Sequence, residues 1–339
     1  MNIRATIDLR RRQTLRAALA SVVAAAPMLS LWSASGAQAA DFPGSKPIRL
    51  VVPFPPGGGT DIVGRTLAHG LAQELKATVI VENLPGATGT MGSARVARAE
   101  PDGYTLLLGI SATHAIAPAL MKDVSYKPDR DFTALARVGQ GGNLIVVHPS
   151  LPVKNIAELI ELARKPGSDL SYGSWGIGSG GHLAMEAVNQ QFKTQMQHVP
   201  YKGVAPLLQD LIGGNIKVAV VDLASGPPQV RSGKLRPIAV TGAKRATPLP
   251  EVPTLVEQGG NFDTMSWYGV FGPAKMPAPL VEQLSAAFTN VLKQPEVAEK
   301  VRSLGMDPEP VSREAFQQQV GKEMAVWARI VQVGGIKAE

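Results

Sequence analysis

Pro53-Phe54-Pro55-Pro56-Gly57-Gly58-Gly59-Thr60-Asp61 lies between two segments of different period. Before it, Ile48-Arg49-Leu50-Val51-Val52 is an apolar run suited to a buried strand. After it, Val63, Leu67, Leu71 and Leu75 recur every four residues and give Ile62–Leu75 one apolar helical face. Strand, glycine-rich turn and helix together aim unpaired backbone N–H groups beyond the turn. The first N–H groups of a helix have no internal acceptor, and the helix dipole makes that end positive. The turn therefore suits an anion. Three glycines after two prolines exceed what a plain turn needs, and Thr60 or Asp61 is suited to cap the helix.

A second stretch repeats this logic. Gly173-Ser174-Trp175-Gly176-Ile177-Gly178-Ser179-Gly180-Gly181 follows a strand at Leu170–Tyr172 and opens a helix that runs to Phe192. Two helix N-termini facing across a cleft would hold an anionic ligand by its ends. Ser174 and Ser179 add hydroxyl donors, and hydrogen bonds to an ionised carboxylate are the stronger kind. Gly176, Gly178 and Gly181 also spell G-x-G-x-x-G, which keeps a dinucleotide-binding oxidoreductase as the alternative. That motif needs an acidic residue at the end of the next strand to hold a ribose. The next strand ends His198-Val199-Pro200-Tyr201-Lys202, with no acid. Neither G-x-S-x-G nor a P-loop motif occurs, so hydrolase and nucleotidase readings lack their signatures.

Strand and helix patterns alternate along the chain, which predicts an α/β fold with parallel sheets. Strands are expected at Ile48–Phe54, Thr78–Glu82, Tyr104–Leu108, Leu144–His148, Leu170–Tyr172 and Gln197–Pro200, then at Lys217–Asp222, Leu235–Val240 and Ser266–Phe271. Helices are expected at Ile62–Leu75, Gly92–Arg98, Ile156–Arg164, Gly181–Phe192 and Ala205–Ile212, then at Leu280–Leu292, Glu296–Leu304 and Arg313–Val331. Asn155 followed by Glu158 marks a helix start. Ser111 and Thr113 follow the third strand and so stand at the carboxyl edge of a sheet, where open α/β sheets bind ligands. Gly203 and Asp222 close later strands at the same kind of edge.

Residues 1–39 read as an export leader rather than as fold. Arg4, Arg10, Arg11, Arg12 and Arg16 form a basic start, Ala17–Leu31 is apolar and rich in small residues, and Ala37-Gln38-Ala39 is a cleavage site. Arg11-Arg12 leaves twin-arginine and general export both open. With its five Arg and one Asp, this segment carries +4 of the formal +7 and leaves +3. No nucleic-acid-binding surface is indicated. There is no cysteine, which removes disulfides, thiolate chemistry and a lipid-anchored N-terminus. The five histidines show no metal-ligand spacing. The remaining ~300 residues exceed one ordinary core, so two domains are expected.

Pro47-Ile48-Arg49-Leu50-Val51-Val52 running into Pro53–Asp61 resembles the opening signature of the Bug/TctC family, the periplasmic solute-binding proteins of tripartite tricarboxylate transporters. Glu82-Asn83 with Pro85-Gly86-Ala87, Pro101-Asp102-Gly103-Tyr104, Tyr172-Gly173-Ser174 and His198-Val199-Pro200-Tyr201-Lys202-Gly203 agree in order and spacing, from about Phe42 to Ile336. The resemblance implies two Rossmann-like lobes around a ligand cleft, of the type II periplasmic-binding-protein kind. It divides the chain into a signal peptide (1–39), lobe one (40–143 and 266–339) and lobe two (144–265). It implies a monomeric binding protein, with no cofactor or catalysis. Such a protein takes up a small carboxylate in the periplasm for the membrane subunits of a tripartite transporter. Carried over position by position, the contacts are Phe54, Gly58, Gly59, Thr60 and Asp61, then Ser111 and Thr113. Ser174, Gly178, Ser179, His182, Gly203 and Asp222, which matches a cleft aspartate of the family, complete the set. Ala117, Leu84, Glu74-Leu75-Lys76 and Leu223–Gly226 depart from the family pattern, which bears on the identity of the ligand.

Overall fold

The computed structural model describes residues 42–121, 123–308 and 311–334; the leader lies outside them. The chain divides into two compact units, Met1–Gly44 and Ser45–Glu339. Residues 42–44 are the described part of the first, and everything below concerns the second.

That unit opens with β1 (Ile48–Val52), α1 (Gly59–Leu75), β2 (Val79–Asn83), α2 (Thr90–Ala97) and β3 (Thr105–Ile110). A π-helical turn at Ala112–Ile116 leads to α3 (Ala117–Leu120), α4 (Pro128–Asp131), β4 (Phe132–Gly141) and β5 (Asn143–Val147). Next come α5 (Ile156–Ala163), β6 (Ser171–Ser174), α6 (Gly180–Phe192), β7 (Gln197–Pro200), α7 (Val204–Ile212) and β8 (Val218–Asp222). The last described elements are α8 (Gly226–Arg231), β9 (Arg236–Val240), β10 (Ser266–Pro273), α9 (Ala278–Lys293), α10 (Pro295–Ser303) and α11 (Arg313–Gly334).

Among the described residues, ten strands form two five-stranded sheets, ordered β2-β1-β3-β10-β4 and β7-β6-β8-β5-β9. The βαβ units pair in parallel, β1 with β2 and β3, and β6 with β7 and β8. The expectation of parallel sheets throughout is corrected at two strands. β10 runs antiparallel to β3 and β4, and β5 runs antiparallel to β8 and β9. These are the strands beside the crossings. The chain leaves the first sheet at β4, turns through Gly142 and enters the second as β5, then returns as β10. A direct strand-to-strand crossing has no helix to reverse its direction, so the entering strand need not run parallel to its neighbours.

The expected burial pattern holds locally. Ile48, Leu50 and Val52 of β1 are fully buried, as are Val63, Leu67 and Leu71 of α1. Each such side chain contributes about 1.5–3 kcal/mol of burial. Asn155 caps α5 as its spacing implies, with Oδ1 accepting from Glu158 N–H at 2.9 Å and Nδ2 donating to Glu158 Oε1 at 3.0 Å. The capping expectation for α1 is corrected. The cap residue is Gly58 in extended conformation, and the helix already includes Thr60 and Asp61. The C-terminal helices α9 and α11 pack on β4, and Trp267 of β10 donates to Glu323 of α11 at 2.6 Å.

Candidate functional site

The carboxyl ends of β1, β3, β6 and β8 lead into one crevice between the sheets, the edge at which open α/β sheets take ligands. Pairing brings the crossing to the same place: Asn143 stands opposite Asp222, and Ser266 opposite Gly141. The crevice encloses a cavity of about 30 Å³, room for one or two waters. Phe54, Gly58, Gly59, Thr60 and Ser111 line it from the first sheet, and Trp175, Val204 and Asp222 from the second. Gly142, Asn143, Ser266 and Tyr268 line it at the crossing, and Leu304–Met306 line it from the end of α10.

Asp222 is the charged side chain of this lining, and no Arg or Lys joins it there. Its Oδ1 accepts from Ala224 N–H at 3.0 Å, Ser225 N–H at 2.8 Å and the Ser225 hydroxyl at 2.7 Å. Its carboxylate also lies against Gly59, at the first turn of α1 in the other sheet's layer. Burial pushes the Asp222 carboxyl above the usual carboxylate range, and the Ser225 and Ala224 donors, with the nearby Gly59 N–H, oppose that push. Contact with Gly59 is close enough that a Cβ there would lie 2.3 Å from Asp222 Oδ1. Tyr268 stands beside them. Burial first, and the Asp222 charge second, hold its hydroxyl proton well beyond the ordinary phenol range, against a hydrogen bond with Thr60.

The other anticipated residues are brought to the rim and back of the crevice rather than to its lining. Asp61 accepts from Gly57 N–H at 3.0 Å, Arg65 Nε at 2.9 Å and Asn83 Nδ2 at 2.9 Å. Burial alone would raise the Asp61 carboxyl, but these donors hold it below the ordinary range. It fastens the first loop to β2 and lies behind the lining. Thr113 Oγ1 donates to Ile110 C=O at 2.9 Å and shares a 2.8 Å contact with His114 Nδ1, closing the turn after β3. Gly203 packs its Cα on Pro55 at the crevice mouth.

Behind the second glycine-rich loop sits a polar cluster. Ser179 is the N-cap of α6: its Oγ accepts from His182 N–H at 3.2 Å and donates to Ser174 Oγ at 3.0 Å. Ser174 Oγ lies 2.7 Å from His198 Nε2, and His182 Nδ1 accepts from Gly178 N–H at 3.1 Å. The two imidazoles stack with centroids 4.0 Å apart. Burial, then the neighbouring His182, lowers His198 to about 3. These side chains shape the loop, and Trp175 is the residue it sends into the cavity.

The glycines of the G-x-G-x-x-G spacing meet protein. Gly176 faces Thr88, Gly178 faces Leu120, and Gly181 faces Trp175 and Val220. Across the mouth, Thr88 Oγ1 donates to Ile177 C=O at 2.8 Å. Among the described residues, no three His, Cys, Asp or Glu are placed to hold a metal ion, and no helix is long and apolar enough to cross a membrane.

A family model described as "Tripartite tricarboxylate transporter family receptor" matches residues 63–336. The chain belongs to the TctC family. Protein BugT of Bordetella pertussis is 31% identical over 295 residues, covering 86% of this chain and 90% of its own. Among solved structures, R. palustris Rpa4515 with adipate superposes with a TM-score of 0.84 at 34% identity, covering 88% of this chain and 99% of its own. MatC from Rhodopseudomonas palustris with bound malate gives 0.79 at 32% identity, covering 84% and 98%. The periplasmic binding protein BugD gives 0.83 at 33% identity, covering 87% and 100%. The TctC proteins are periplasmic solute-binding proteins and not enzymes, so the oxidoreductase alternative is set aside. The fold is theirs: two α/β lobes with a cleft between them.

Several lining residues carry little signal in a TctC sequence read alone. Trp175 is the one that could be found, as a large aromatic amid glycines. Tyr268 and Leu304–Met306 reach the cleft only because the chain returns to the first sheet.

Proposed function

We propose that this chain captures a small carboxylate-bearing solute in its cleft and delivers it to the membrane subunits of a tripartite tricarboxylate-type transporter. The lobes are residues 40–143 with 266–339, and 144–265. The observation that carries the reading is that the cleft already seats a carboxylate. Asp222, buried, lies against Gly59 at the positive end of α1. A solute carboxylate needs the same donors, and the hydroxyls of Thr60 and Ser111 stand beside them in the lining. Phe54, Gly58, Gly59, Thr60, Ser111 and Asp222 would touch the solute. Asp61, Thr113, Ser174, Gly178, Ser179, His182 and Gly203 would hold the loops that do. Apolar walls from Phe54, Ile110, Trp175 and Leu223 suit a short carbon skeleton. The related structures with adipate and malate support this class of solute.

Delivery of a captured solute fits a binding protein that works as a monomer with no cofactor. A thermal-shift screen of mono- and dicarboxylates, amino acids and uncharged analogues tests the reading. A solute at one hundred times its Kd stabilises by about 2.7 kcal/mol. A carboxylate is expected to give the largest shift. If only uncharged compounds shift the melting point, the reading fails.

A further inference from the structure

The two sides of the cleft are not alike. On the first sheet's side the lining holds the start of α1, with Gly58, Gly59 and the Thr60 hydroxyl, and the Ser111 hydroxyl beside it. A helix start with two hydroxyls suits one carboxylate. On the second sheet's side the glycine-rich loop uses its donors internally. Gly176 N–H donates to Ser174 Oγ at 3.3 Å, Gly178 N–H to His182 Nδ1 at 3.1 Å and Ser179 N–H to Gly176 C=O at 3.1 Å. The Ser174 hydroxyl donates to Gly176 C=O at 3.0 Å, and the Ser179 hydroxyl to Ser174 Oγ at 3.0 Å. What this loop sends into the cavity is Trp175. The same ring packs on the first turn of α6, where a Cβ at Gly181 would lie 2.7 Å from Trp175 Cζ3. An indole is a broad apolar surface with a single neutral N–H. The charge of the lining points the same way. Asp222 is buried in it, and among the described lining residues no Arg or Lys balances it. Asn143, Ser266 and Tyr268 at the crossing add neutral groups. Each negative charge brought in is therefore a like charge near a buried carboxylate.

We infer that the cleft takes a monocarboxylate, with its carboxylate at the start of α1 and its apolar tail on Trp175, and that Trp175 turns dicarboxylates away. This rests on the capture reading above and narrows it. A carboxylate at the far end of the tail would exchange its water for an indole, with one neutral donor at most. Burying a charge without donors is far more costly than burying a methyl group. Trp175 is thus a specificity-determining residue, and its place amid glycines has a physical reason: Gly181 leaves room for the ring.

Probes that differ only at the far end test this: butanoate against succinate, and hexanoate against adipate, with hexanamide as the uncharged control. The chain is freed of co-purified solute by unfolding and refolding, then titrated with each by calorimetry. The monocarboxylate of a pair is expected to bind at least about tenfold tighter than its partner. Trp175→Lys puts a cation where the indole lies and should lower that ratio by about tenfold or more. Trp175→Ala removes the apolar wall and should weaken the monocarboxylates about tenfold while changing the dicarboxylates little. Circular dichroism confirms that each variant is folded, and the comparison in the unaltered chain needs no variant. Dicarboxylates that bind as tightly as their partners, or tighter, overturn the inference and leave the capture reading standing. An unchanged ratio in both variants also overturns it, since the discrimination would then lie elsewhere than at Trp175. Binding of hexanamide with neither acid of any pair would overturn the capture reading itself, and this inference with it.

Discussion

At the scale of single residues, position in the fold separates side chains that look equivalent in the sequence. Gly58 and Gly59 are neighbours in one glycine run, yet Gly58 has an ordinary φ of −84° and a Cβ there would meet nothing closer than 3.8 Å. Gly59 is the one whose missing side chain matters. Ser174 and Ser179 were natural candidates to touch a ligand, but both hydroxyls are engaged behind the loop. Ser179 is the cap of α6, and capping residues are worth about 1 kcal/mol relative to alanine. Ser179→Ala should therefore lower the urea-unfolding free energy by about 1–2 kcal/mol, the upper part coming from its bond to Ser174. An unchanged unfolding midpoint would show that the cap contributes nothing.

At the scale of elements, the two loops meet at the mouth of the cleft through a strained turn. Gly86, Ala87, Thr88 and Gly89 all have positive φ, with Thr88 at 52°. A β-branched residue there is a rare outlier of the kind that persists only where surrounding structure enforces it. What holds Thr88 is its bond to Ile177 and the fit of its side chain against Gly176. Gly176 itself has φ of 140°, a conformation nearly closed to other residues, and a Cβ would lie 2.6 Å from Thr88 Oγ1. Gly176→Ala should cost about 1–3 kcal/mol in urea unfolding, and a neutral result would mean the loop relaxes freely. None of this was legible in advance: two left-handed non-glycine residues leave no mark in the sequence. The elements themselves were legible wherever one period dominated, as in α1 or β8. β4 was not anticipated. Phe132–Gly141 mixes Ala, Gly and Arg without alternation, because all but Thr133 and the last two residues are buried, Arg137 included. A strand buried on both faces loses the period-two signal.

At the scale of the molecule, the glycine-loop signature and family spacing gave away the two-lobed plan, whereas the cleft floor came from segments far apart in sequence, such as Asn143, Ser266 and Met306. Acid response is also a property of the assembled whole. His114 is fully buried against Phe271, whose ring stacks at 4.1 Å, with Phe132 and Tyr126 beside it. Its Nε2 has no hydrogen-bond partner, and burial lowers it to about 3. His198 is likewise lowered to about 3, by burial and by His182. A histidine whose folded value lies below its ordinary ~6.5 binds fewer protons folded than unfolded. Its stabilisation is complete above about pH 6.5 and is lost progressively as the pH falls toward about 3. Each can remove up to about 1.4 kcal/mol per pH unit in that window. Asp222 and Glu323 act in the opposite sense: burial raises both, so their contribution is lost as the pH rises. Comparing variants isolates the histidine share from theirs. His114→Phe keeps a ring of similar shape in an aromatic pocket and cannot titrate. Urea unfolding at pH 7, 6, 5 and 4 should show stability falling with acid in the natural chain and a clearly shallower fall in His114→Phe. Parallel curves for the two proteins would mean that His114 takes up its proton without cost, and that the burial of its unpaired nitrogen is not what makes the fold acid-sensitive.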